Sequence, residues 1–362
     1  MPQNKRPTPG VIAPGCVAVT RFSALGDLAM TVPVVYSACA CHPSTRFVMV
    51  TKDSVASLFV NAPANLTVTG IDPAQYSGPA GARRLIDRLS LVHGIDALAD
   101  LQGGRATRWL RLMCRWHGGI RLRHIDNGIA HKRELTRSTD KRMLPLVSQR
   151  ARYREVFYSL GLPVETTFTG LFGDGKGDPA LFAGITPPKS NGERWIGIAP
   201  FANFRGKIYP PELMREVVND LSAMNDVKIF LFGAGDDEKT ILDNWATEMR
   251  AVVSLAGKRY GFPAELALMS HLDVMVSMDS ANMHLAALVD IPVVSIWGAT
   301  HPYCGFKGWR QQESSTVQLA MTCRPCSVFG DKPCQRGDYY CLSGIKPAVV
   351  TAKIMAVLEG KR

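Results

Sequence analysis

Residues that could bind an anion form a turn in the second half of the chain. The segment from Asp279 to His284, DSANMH, follows one apolar run and begins a short apolar helix. The first backbone N–H groups of a helix have no carbonyl partners and carry about half a positive charge. The next apolar run ends in a second polar loop, which contains Thr300 and His301. Two such loops at one sheet edge suit a diphosphate, although an ordinary capped βαβ unit would show the same pattern.

Two further loops carry single charged side chains that could take part in catalysis. Asp27 lies beside Gly26 in the first turn of a helix that follows the first apolar strand. A carboxylate at this position can act as a general base, or it can satisfy the N–H groups of the helix start. Lys207 lies in a loop before a helix that starts with proline. It can bind a phosphate as a point charge, or it can be an ordinary surface lysine.

The segment from Gly233 to Glu238, GAGDDE, resembles half of a dinucleotide-binding fingerprint. It lacks the third glycine and places three acids where a pyrophosphate would bind, which argues against a Rossmann dehydrogenase. An acid here could hydrogen-bond a ribose hydroxyl, or the segment could be a plain helix N-terminus. His284 could donate to a phosphate or sugar oxygen, or it could pack beneath its loop.

The chain has nine cysteines, and the odd count favours reduced thiols. Four of them are close together, with two, seven and six residues between successive members. The first pair has the spacing of a zinc knuckle, but the second pair does not, so free thiols are favoured over a structural metal site. The four residues are Cys323, Cys326, Cys334 and Cys341.

The positive charge is concentrated in one region. The net charge is +11, and the stretch Arg105–Arg154 alone has fourteen Lys or Arg against three Asp or Glu. This pattern indicates a polyanionic partner, such as nucleic acid, anionic lipid headgroups or a phosphorylated glycan. A solvated basic face without a partner is the alternative.

The length of 362 residues and the 46% hydrophobic content predict a globular protein of two domains. No apolar run approaches the roughly 20 residues needed to cross a bilayer. The polar, proline-rich first fifteen residues resemble neither a signal peptide nor an anchor. We therefore expect the protein in the cytoplasm.

Short β-branched runs alternate with amphipathic helices, which predicts doubly wound parallel sheets in an α/β fold. The stretch Gly170–Asn191 is rich in Gly, Pro, Asp and Lys, has no periodicity, and is predicted to be a linker. Strands are predicted at Cys16–Phe22, Arg46–Thr51, Leu66–Thr69, Ile95–Leu101, Gly119–His124, Trp195–Pro200, Val227–Phe232, Val252–Leu255, Leu272–Met278 and Val293–Trp297. Helices are predicted to begin near Gly26, Ser54, Ala82, Arg105, Leu146, Pro211, Asp236, Phe262, Asn282 and Pro347.

Four of these segments, in this order, resemble glycosyltransferase family 9, the ADP-heptose:lipopolysaccharide heptosyltransferases. The matching segments are RFSALGDLAMTVP, the loop around Lys207, MDSANMHLAALVDIPVVSIWGATHP and CRPCSVFGDKPCQRGDYYCLSGI. They extend from Arg21 to Ile345. The specificity lies in the ordered set and not in any single segment.

The resemblance implies a GT-B fold, with two Rossmann-like domains facing across a cleft. Residues 1–170 would form an acceptor domain, 171–191 a linker, 192–345 a nucleotide-sugar domain, and 346–362 a C-terminal helix. The implied reaction is inverting transfer of a heptose from ADP-heptose to the inner core of lipopolysaccharide or to a lipid A precursor. No cofactor, metal or nucleic-acid binding is expected. Peripheral contact with the inner face of the cytoplasmic membrane is expected.

The resemblance also assigns roles to residues. Asp27 matches the catalytic base and Lys207 the phosphate-binding lysine. Ala281 replaces the glycine that is usual in the family, which preserves phosphate binding by backbone amides if φ stays negative. The acceptor-binding residues are then Gly26, Arg105 and Arg108. The donor-binding residues are Gly233, Glu238, Asp279, Ser280, Ala281, Asn282, Met283, His284 and Thr300.

Two alternatives remain at this stage. The same fold could use another activated sugar, such as a hexose or an amino sugar. The chain could also be a non-catalytic binder of anionic glycan or nucleic acid, although the basic stretch lacks the interleaved aromatic residues of single-strand binders.

Overall fold

The computed structural model of the protein describes residues 12–360. The chain divides into two compact units. The first unit contains the residues up to 128 together with 147–169, and the second contains 129–146 together with the residues from 170 onward. Each unit is built on its own parallel sheet. This confirms the predicted α/β architecture of two parallel-sheet domains.

The sheet of the first unit has the order β3-β2-β1-β4-β5, and every neighbouring pair is parallel. Helices connect the strands, as parallel pairing requires. All five residues of the central strand are buried, because helices cover both faces of such a sheet. The elements as far as the last helix of this unit are β1 (Cys16–Thr20), α1 (Leu25–Ala29), α2 (Val32–Cys41), β2 (Arg46–Lys52), α3 (Asp53–Ala56), β3 (Leu66–Ile71), α4 (Gly78–His93), β4 (Ala97–Asp100), α5 (Arg108–His117), β5 (Arg121–His124), α6 (Ile129–Leu135, which belongs to the second unit) and α7 (Gln149–Ser159).

The sheet of the second unit has the order β11-β10-β9-β6-β7-β8 and is also parallel. Its core contains the fully buried Trp195, whose ring centroid lies 4.9 Å from that of Phe230. The elements are β6 (Arg194–Ala199), α8 (Pro211–Ser222), β7 (Val227–Leu231), α9 (Asp236–Glu248), β8 (Val252–Ser254), α10 (Phe262–Ser270), β9 (Val274–Met278), α11 (Ala281–Leu288), β10 (Val293–Ile296), β11 (Thr316–Val317), α12 (Tyr340–Ser343) and α13 (Pro347–Glu359).

The division into units differs from the sequence-based boundaries at residues 129–146. These residues were assigned to the first domain, but they pack on the second unit. Lys141 Nζ donates to the carbonyl oxygens of Cys323 and Pro325 at 2.6 and 3.0 Å. The N–H group of Leu146 donates to the carbonyl oxygen of Tyr303 at 2.9 Å. Contacts between residues more than 150 positions apart leave no periodic pattern in the sequence. The sequence therefore did not show that residues 129–146 belong to the second unit.

The segment predicted as a linker, 171–191, is also part of the second unit. A 3₁₀ turn at Pro179–Phe182 buries the Phe182 ring, with its centroid 6.2 Å from that of Trp195 and 5.1 Å from that of His271. The N–H group of Leu171 donates to the carbonyl oxygen of Leu288 at 2.8 Å. The segment lacks periodicity because only a few anchoring side chains hold it.

Most predicted strands and helices are present, with ends shifted by up to four residues. The helix predicted from Gly26 is two helices, α1 and α2, and the short elements α6, β11 and α12 were not predicted. The C-terminal helix ends at Glu359, and the predicted residues 361 and 362 lie outside the described part. Among residues 12–360, no helix is both long and apolar enough to cross a bilayer.

Candidate active site

Asp27 lies in α1, directly after the carboxyl end of the central strand of the first unit. Its Oδ2 is 2.5 Å from Nη2 of Arg21, and the Asp27 side chain retains 20% of its exposure. Arg21 is buried, and its Nη1 donates to the carbonyl oxygen of Leu101 at 2.7 Å. The hydroxyl of Tyr153 donates to the backbone oxygen of Asp27 at 3.2 Å. The carboxylate is therefore held in a fixed orientation while it stays accessible to a substrate.

A second strand end supports the loop before Asp27. The Oε1 of Gln102 accepts hydrogen bonds from the N–H groups of Phe22 and Ser23, at 3.0 and 3.1 Å. The loop that carries Gln102 is held in turn by the fully buried Asp100, whose Oδ2 accepts from Arg111 Nη1 at 2.9 Å. Our sequence analysis missed Arg21, Asp100 and Gln102. An acid at the end of an otherwise apolar strand was the one available signal.

The other acceptor residues predicted from sequence lie at the same edge of this sheet. Gly26 is half-buried in α1, next to Asp27. Arg105 and Arg108 are exposed at the start of α5, which follows β4, the direct neighbour of β1. The guanidinium of Arg108 lies 4.8 Å from the ring centroid of Trp109. Gly26, Asp27, Arg105 and Arg108 thus share the carboxyl edge of one sheet.

In the second unit, Lys207 contacts the turn that was predicted to bind an anion. It ends a 3₁₀ turn after β6, and its Nζ is 3.2 Å from Oδ2 of Asp279. The Lys207 and Asp279 side chains retain 17% and 5% of their exposure. Because β6 and β9 are neighbours, these two loops leave the sheet side by side. Lys207 is therefore a fixed, largely desolvated cation and not an ordinary surface lysine.

The first turn of α11 presents backbone N–H groups that no side chain caps within the described residues. Ser280 precedes the helix, but its Oγ contacts Oγ of Ser277 at 3.2 Å instead of capping. Ser280, Ala281 and Asn282 are half-buried. Ala281 is a regular helical residue with negative φ, so alanine fits where glycine is usual in the family. These uncapped amides lie where the sequence predicts an anion pocket, and anion binding by them stays a prediction.

Four of the predicted donor residues are buried beneath this turn. Asp279 pairs with Lys207, while Met283 and His284 face the interior of the unit. Thr300 is fully buried, and its hydroxyl has no hydrogen-bond partner among residues 12–360. The side chains of Met283, His284 and Thr300 therefore lie below the surface on which a donor would bind, and Met283 can contribute its backbone amide only.

The neighbouring polar loop is held by a buried arginine that our sequence analysis missed. Arg324 donates to the carbonyl oxygens of Gly298, Trp297 and Thr300. Its hydrogen-bond partners in residues 12–360 are carbonyl and amide oxygens. Because these oxygens are neutral, the positive charge of Arg324 stays uncompensated beside the loop. Burial together with this charge lowers the pKa of His301 to about 4. His301 is thus a neutral ring whose Nδ1 accepts from the N–H group of Tyr303 at 3.1 Å.

The loop after β7 is closed by one of its own acids. Oε2 of Glu238 accepts a hydrogen bond from the N–H group of Ala234 at 2.7 Å. Burial raises the pKa of Glu238, and this hydrogen bond partly offsets the rise. A Cβ at Gly233 would lie 2.7 Å from Cδ1 of Leu242 and 3.2 Å from Glu238 Oε2, so a side chain there would displace both. Asp236 and Asp237 are exposed.

Cys323, Cys326 and Cys334 lie in the loop that also carries Arg324, and Cys341 lies in α12. Within the described residues all nine cysteines are free, and no group of three or more His, Cys, Asp or Glu side chains has the geometry of a metal site. Free thiols and a structural metal at Cys323, Cys326, Cys334 and Cys341 both stay predictions from the sequence. Burial, as the main cause, raises the pKa of Cys341 to about 11.

The basic stretch Arg105–Arg154 is not one continuous basic face. It is divided between the two units, and several of its members serve as structural contacts. Lys132 is buried, with Nζ 4.9 Å from the ring centroid of Phe306. Arg111 pairs with Asp100, and Arg154 Nε donates to the carbonyl oxygen of Val164 at 2.9 Å. The formal charge of the stretch therefore overstates the charge that is free to meet a partner.

Comparison with known proteins identifies the class of this chain. Residues 146–333 match the family Glycosyltransferase family 9 (heptosyltransferase). The chain belongs to this family, as the four motifs predicted.

Individual relatives agree with this assignment. Lipooligosaccharide heptosyltransferase 2 of Campylobacter jejuni is 24% identical over 173 residues, which cover 47% of this chain and 52% of the relative. The chain thus spans about half the length of these curated relatives. A solved glycosyl transferase family 9 structure from Veillonella parvula has a TM-score of 0.73 at 14% identity, over 96% of this chain and 98% of that one. The ADP-heptose lps heptosyltransferase II of E. coli has a TM-score of 0.66 at 15% identity, over 95% and 99%. These similarities confirm the GT-B class of fold.

Proposed function

We propose that the protein is an inverting heptosyltransferase that moves a heptose from ADP-heptose to an inner-core acceptor of lipopolysaccharide. The observation that carries the proposal is the pairing of Lys207 with Asp279 beside the open N-terminus of α11. A desolvated cation and backbone amides without a side-chain cap therefore lie together at one sheet edge of a glycosyltransferase family 9 chain. Relatives whose names specify heptosyltransferase and ADP-heptose support the choice of donor.

The donor half of the reaction is the stabilisation of a leaving diphosphate. As the bond between the anomeric carbon and the diphosphate oxygen breaks, negative charge develops on ADP. Lys207 Nζ and the amides of Ala281 and Asn282 would meet that charge without reorganising, because both are already fixed in the protein. We propose that this charge stabilisation needs neither a metal nor a coenzyme. Glu238 would bind the ribose side of the nucleotide from the neighbouring loop.

The acceptor half is the activation of a hydroxyl group. Asp27 would take the proton of the attacking acceptor hydroxyl. The oxygen of that hydroxyl would bond to the anomeric carbon from the face opposite the diphosphate, which inverts the configuration. Arg21 orients the carboxylate through the ion pair at 2.5 Å. Arg105 and Arg108, exposed at the same sheet edge, would bind acidic or phosphorylated groups of the acceptor.

The test separates the base from the donor pocket. Asp27→Asn preserves the shape of the side chain, so we expect transfer to fall by about 10²–10⁴-fold while the affinity for ADP-heptose stays unchanged. Lys207→Met should weaken ADP-heptose binding and transfer together. Lys346→Met, at an exposed lysine before α13, is the matched control and should change neither. Calorimetry and a transfer assay measure the two quantities.

Loss of donor binding in Asp27→Asn would contradict the assignment of the base. Calorimetry with a panel of nucleotide sugars tests the donor in the same experiment. Tighter binding of a hexose or amino-sugar nucleotide than of ADP-heptose would contradict the proposed substrate.

A further inference from the structure

One outer helical surface of the first unit combines exposed arginines with exposed apolar side chains. On α4, Arg84, Arg88 and Leu91 are spaced four and three residues apart and so share one face. All three are exposed, Leu91 by 89%, and the neighbouring Val92 is exposed by 63%. The opposite face of α4 is buried in the core of the unit. The exposed face of α4 is therefore not needed to pack the helix onto its own unit.

Helix α5 lies beside α4 and extends the same surface. The two helices contact each other, and the Oδ1 of Asp87 lies 3.6 Å from Nε2 of His117. The adjacent Trp116 is exposed by 73%, next to the exposed Arg115. Together α4 and α5 have six arginines against one aspartate, and four of the six remain after Arg83 pairs with Asp87 and Arg111 with Asp100. The surface is thus strongly basic, with its large apolar side chains at the C-terminal ends of both helices.

A pocket with arginine in its walls opens on this surface. It has a volume of about 450 Å³ and is lined by Gln75, Tyr76, Arg84, Asp87 and Arg88. Arg88 Nη1 donates to the hydroxyl of Tyr76 at 2.6 Å, and Arg84 Nη2 donates to the carbonyl oxygen of Gln75 at 2.7 Å. Each guanidinium has five N–H donors, so both keep donors for an anion. The arrangement suits the phosphate of a lipid headgroup.

We propose that the outer face of α4 and α5 docks on an anionic phospholipid bilayer. Arg84 and Arg88 would bind headgroup phosphates, while Leu91, Val92 and Trp116 would insert at the level of the acyl boundary. Arginine and tryptophan both suit that boundary, since each joins an apolar body to a polar group. An acidic protein would match the arginines but would not account for the apolar side chains clustered at one end.

The position of this surface suggests how the proposed enzyme would reach its acceptor. The last experiment of this subsection rests on the proposed function. Helix α5 begins with Arg108, at the sheet edge where Asp27 lies. Trp116 lies near the other end of α5, about 15 Å away for a ten-residue helix. A bilayer held by α4 and α5 would therefore lie within reach of the acceptor residues. An acceptor with a lipid anchor could then be bound without leaving the membrane.

Vesicle co-sedimentation of the full chain tests the docking surface. We expect binding to vesicles containing phosphatidylglycerol and little binding to pure phosphatidylcholine at about 0.15 M salt. Each basic residue near an anionic surface strengthens binding about fivefold, so Arg84→Gln with Arg88→Gln should lower it about 25-fold. Leu91→Ser with Trp116→Ser should remove the part of the binding that persists at about 1 M salt.

The matched control is Arg250→Gln with Val349→Ser, which changes one exposed arginine and one exposed apolar residue of the second unit. It should bind vesicles like the unchanged protein. Equal losses in the control and the test variants would overturn the proposal. So would a change in oligomeric state, measured by sedimentation, in Leu91→Ser with Trp116→Ser without a change in vesicle binding, because a second copy would then be the occupant.

Transfer assays distinguish a failure of this surface from a failure of the proposed reaction. With a deacylated core oligosaccharide in solution, the surface variants should transfer heptose at the unchanged rate. With acceptor lipopolysaccharide embedded in phosphatidylglycerol vesicles, their rate should fall in proportion to vesicle binding. If the surface variants transferred heptose to both acceptors at the rate of the unchanged protein, the docking proposal would be overturned and the proposed reaction would stand. If the unchanged protein transferred heptose to neither acceptor, the proposed reaction itself would be contradicted.

Discussion

Single residues of the two candidate half-sites are fixed by partners that lie far away in the chain. Asp27 could be predicted from sequence because a strand, a short turn and a helix start leave a local pattern. Its partner Arg21 could not, because its role depends on burial and on a carbonyl oxygen 80 residues away. The same holds for Arg324, whose hydrogen bonds reach back to the loop at Gly298. Candidate ligand-binding residues therefore leave a local sequence pattern, whereas the residues that position them do not.

His301 provides a pH-dependent test of the loop that Arg324 holds. Burial, and then the charge of Arg324, lower the pKa of His301 from its ordinary value of 6.5 to about 4. As the pH falls from about 6.5 to 4, the unfolded chain binds a proton here and the folded chain does not. This contribution to stability is therefore present at neutral pH and is lost on acidification.

We expect the variant His301→Asn to remove this pH dependence. Asparagine can still accept from the N–H group of Tyr303, as His301 Nδ1 does, but it does not titrate. Between about pH 7.5 and pH 5 the unchanged protein should lose about 2 kcal/mol more unfolding free energy than the variant. Urea unfolding at the two pH values measures the difference. Parallel losses would show that His301 binds its proton equally in both states.

At the scale of elements, the alternation of strands and helices was predictable and the irregular segments were not. Strands such as Cys16–Thr20 are continuous apolar runs, the pattern of a sheet buried on both faces. The two-residue strand β11 exists because it pairs with β10 at the sheet edge, and two residues have no periodicity. The segment 171–191 likewise has no periodicity, and so its sequence predicts a linker. Its place in the second unit depends on long-range packing.

The packing of that segment can be tested with neighbouring residues. Phe182 is buried against Trp195 and His271, whereas Leu181 beside it is exposed by 49%. We expect Phe182→Ala to lower the unfolding free energy by about 3–5 kcal/mol, because it leaves a cavity. Leu181→Ala should change it by less than about 0.5 kcal/mol. Denaturant unfolding followed by tryptophan fluorescence, to which Trp195 contributes, would measure both. Similar small effects would mean that the segment is a true linker.

At the scale of the whole molecule, the proposed reaction assigns the nucleotide to the second unit alone. Lys207, Asp279 and the N-terminus of α11 all belong to it. ADP at about 100 times its Kd should stabilise this unit by about 2.7 kcal/mol. We expect hydrogen exchange to slow in residues 200–208 and 279–284, with no change around Asp27.

Adenosine is the matched ligand for that exchange experiment. It lacks the diphosphate, so it should protect residues 279–284 much less than ADP does. Equal protection by the two ligands would place the phosphates elsewhere. Protection around Asp27 with ADP alone would assign the donor to the first unit and contradict the proposed division of roles.

The path of residues 129–146 has a consequence for synthesis on the ribosome. The chain leaves the first unit at Ile129, returns at Val147 and leaves again at Gly170. The backbone oxygens that Lys141 binds belong to Cys323 and Pro325, about 180 residues later. At about 5–20 residues per second, Lys141 emerges roughly ten to forty seconds before its partners exist. The N-terminal half can thus complete its own sheet early, while this excursion stays undocked until translation is nearly finished.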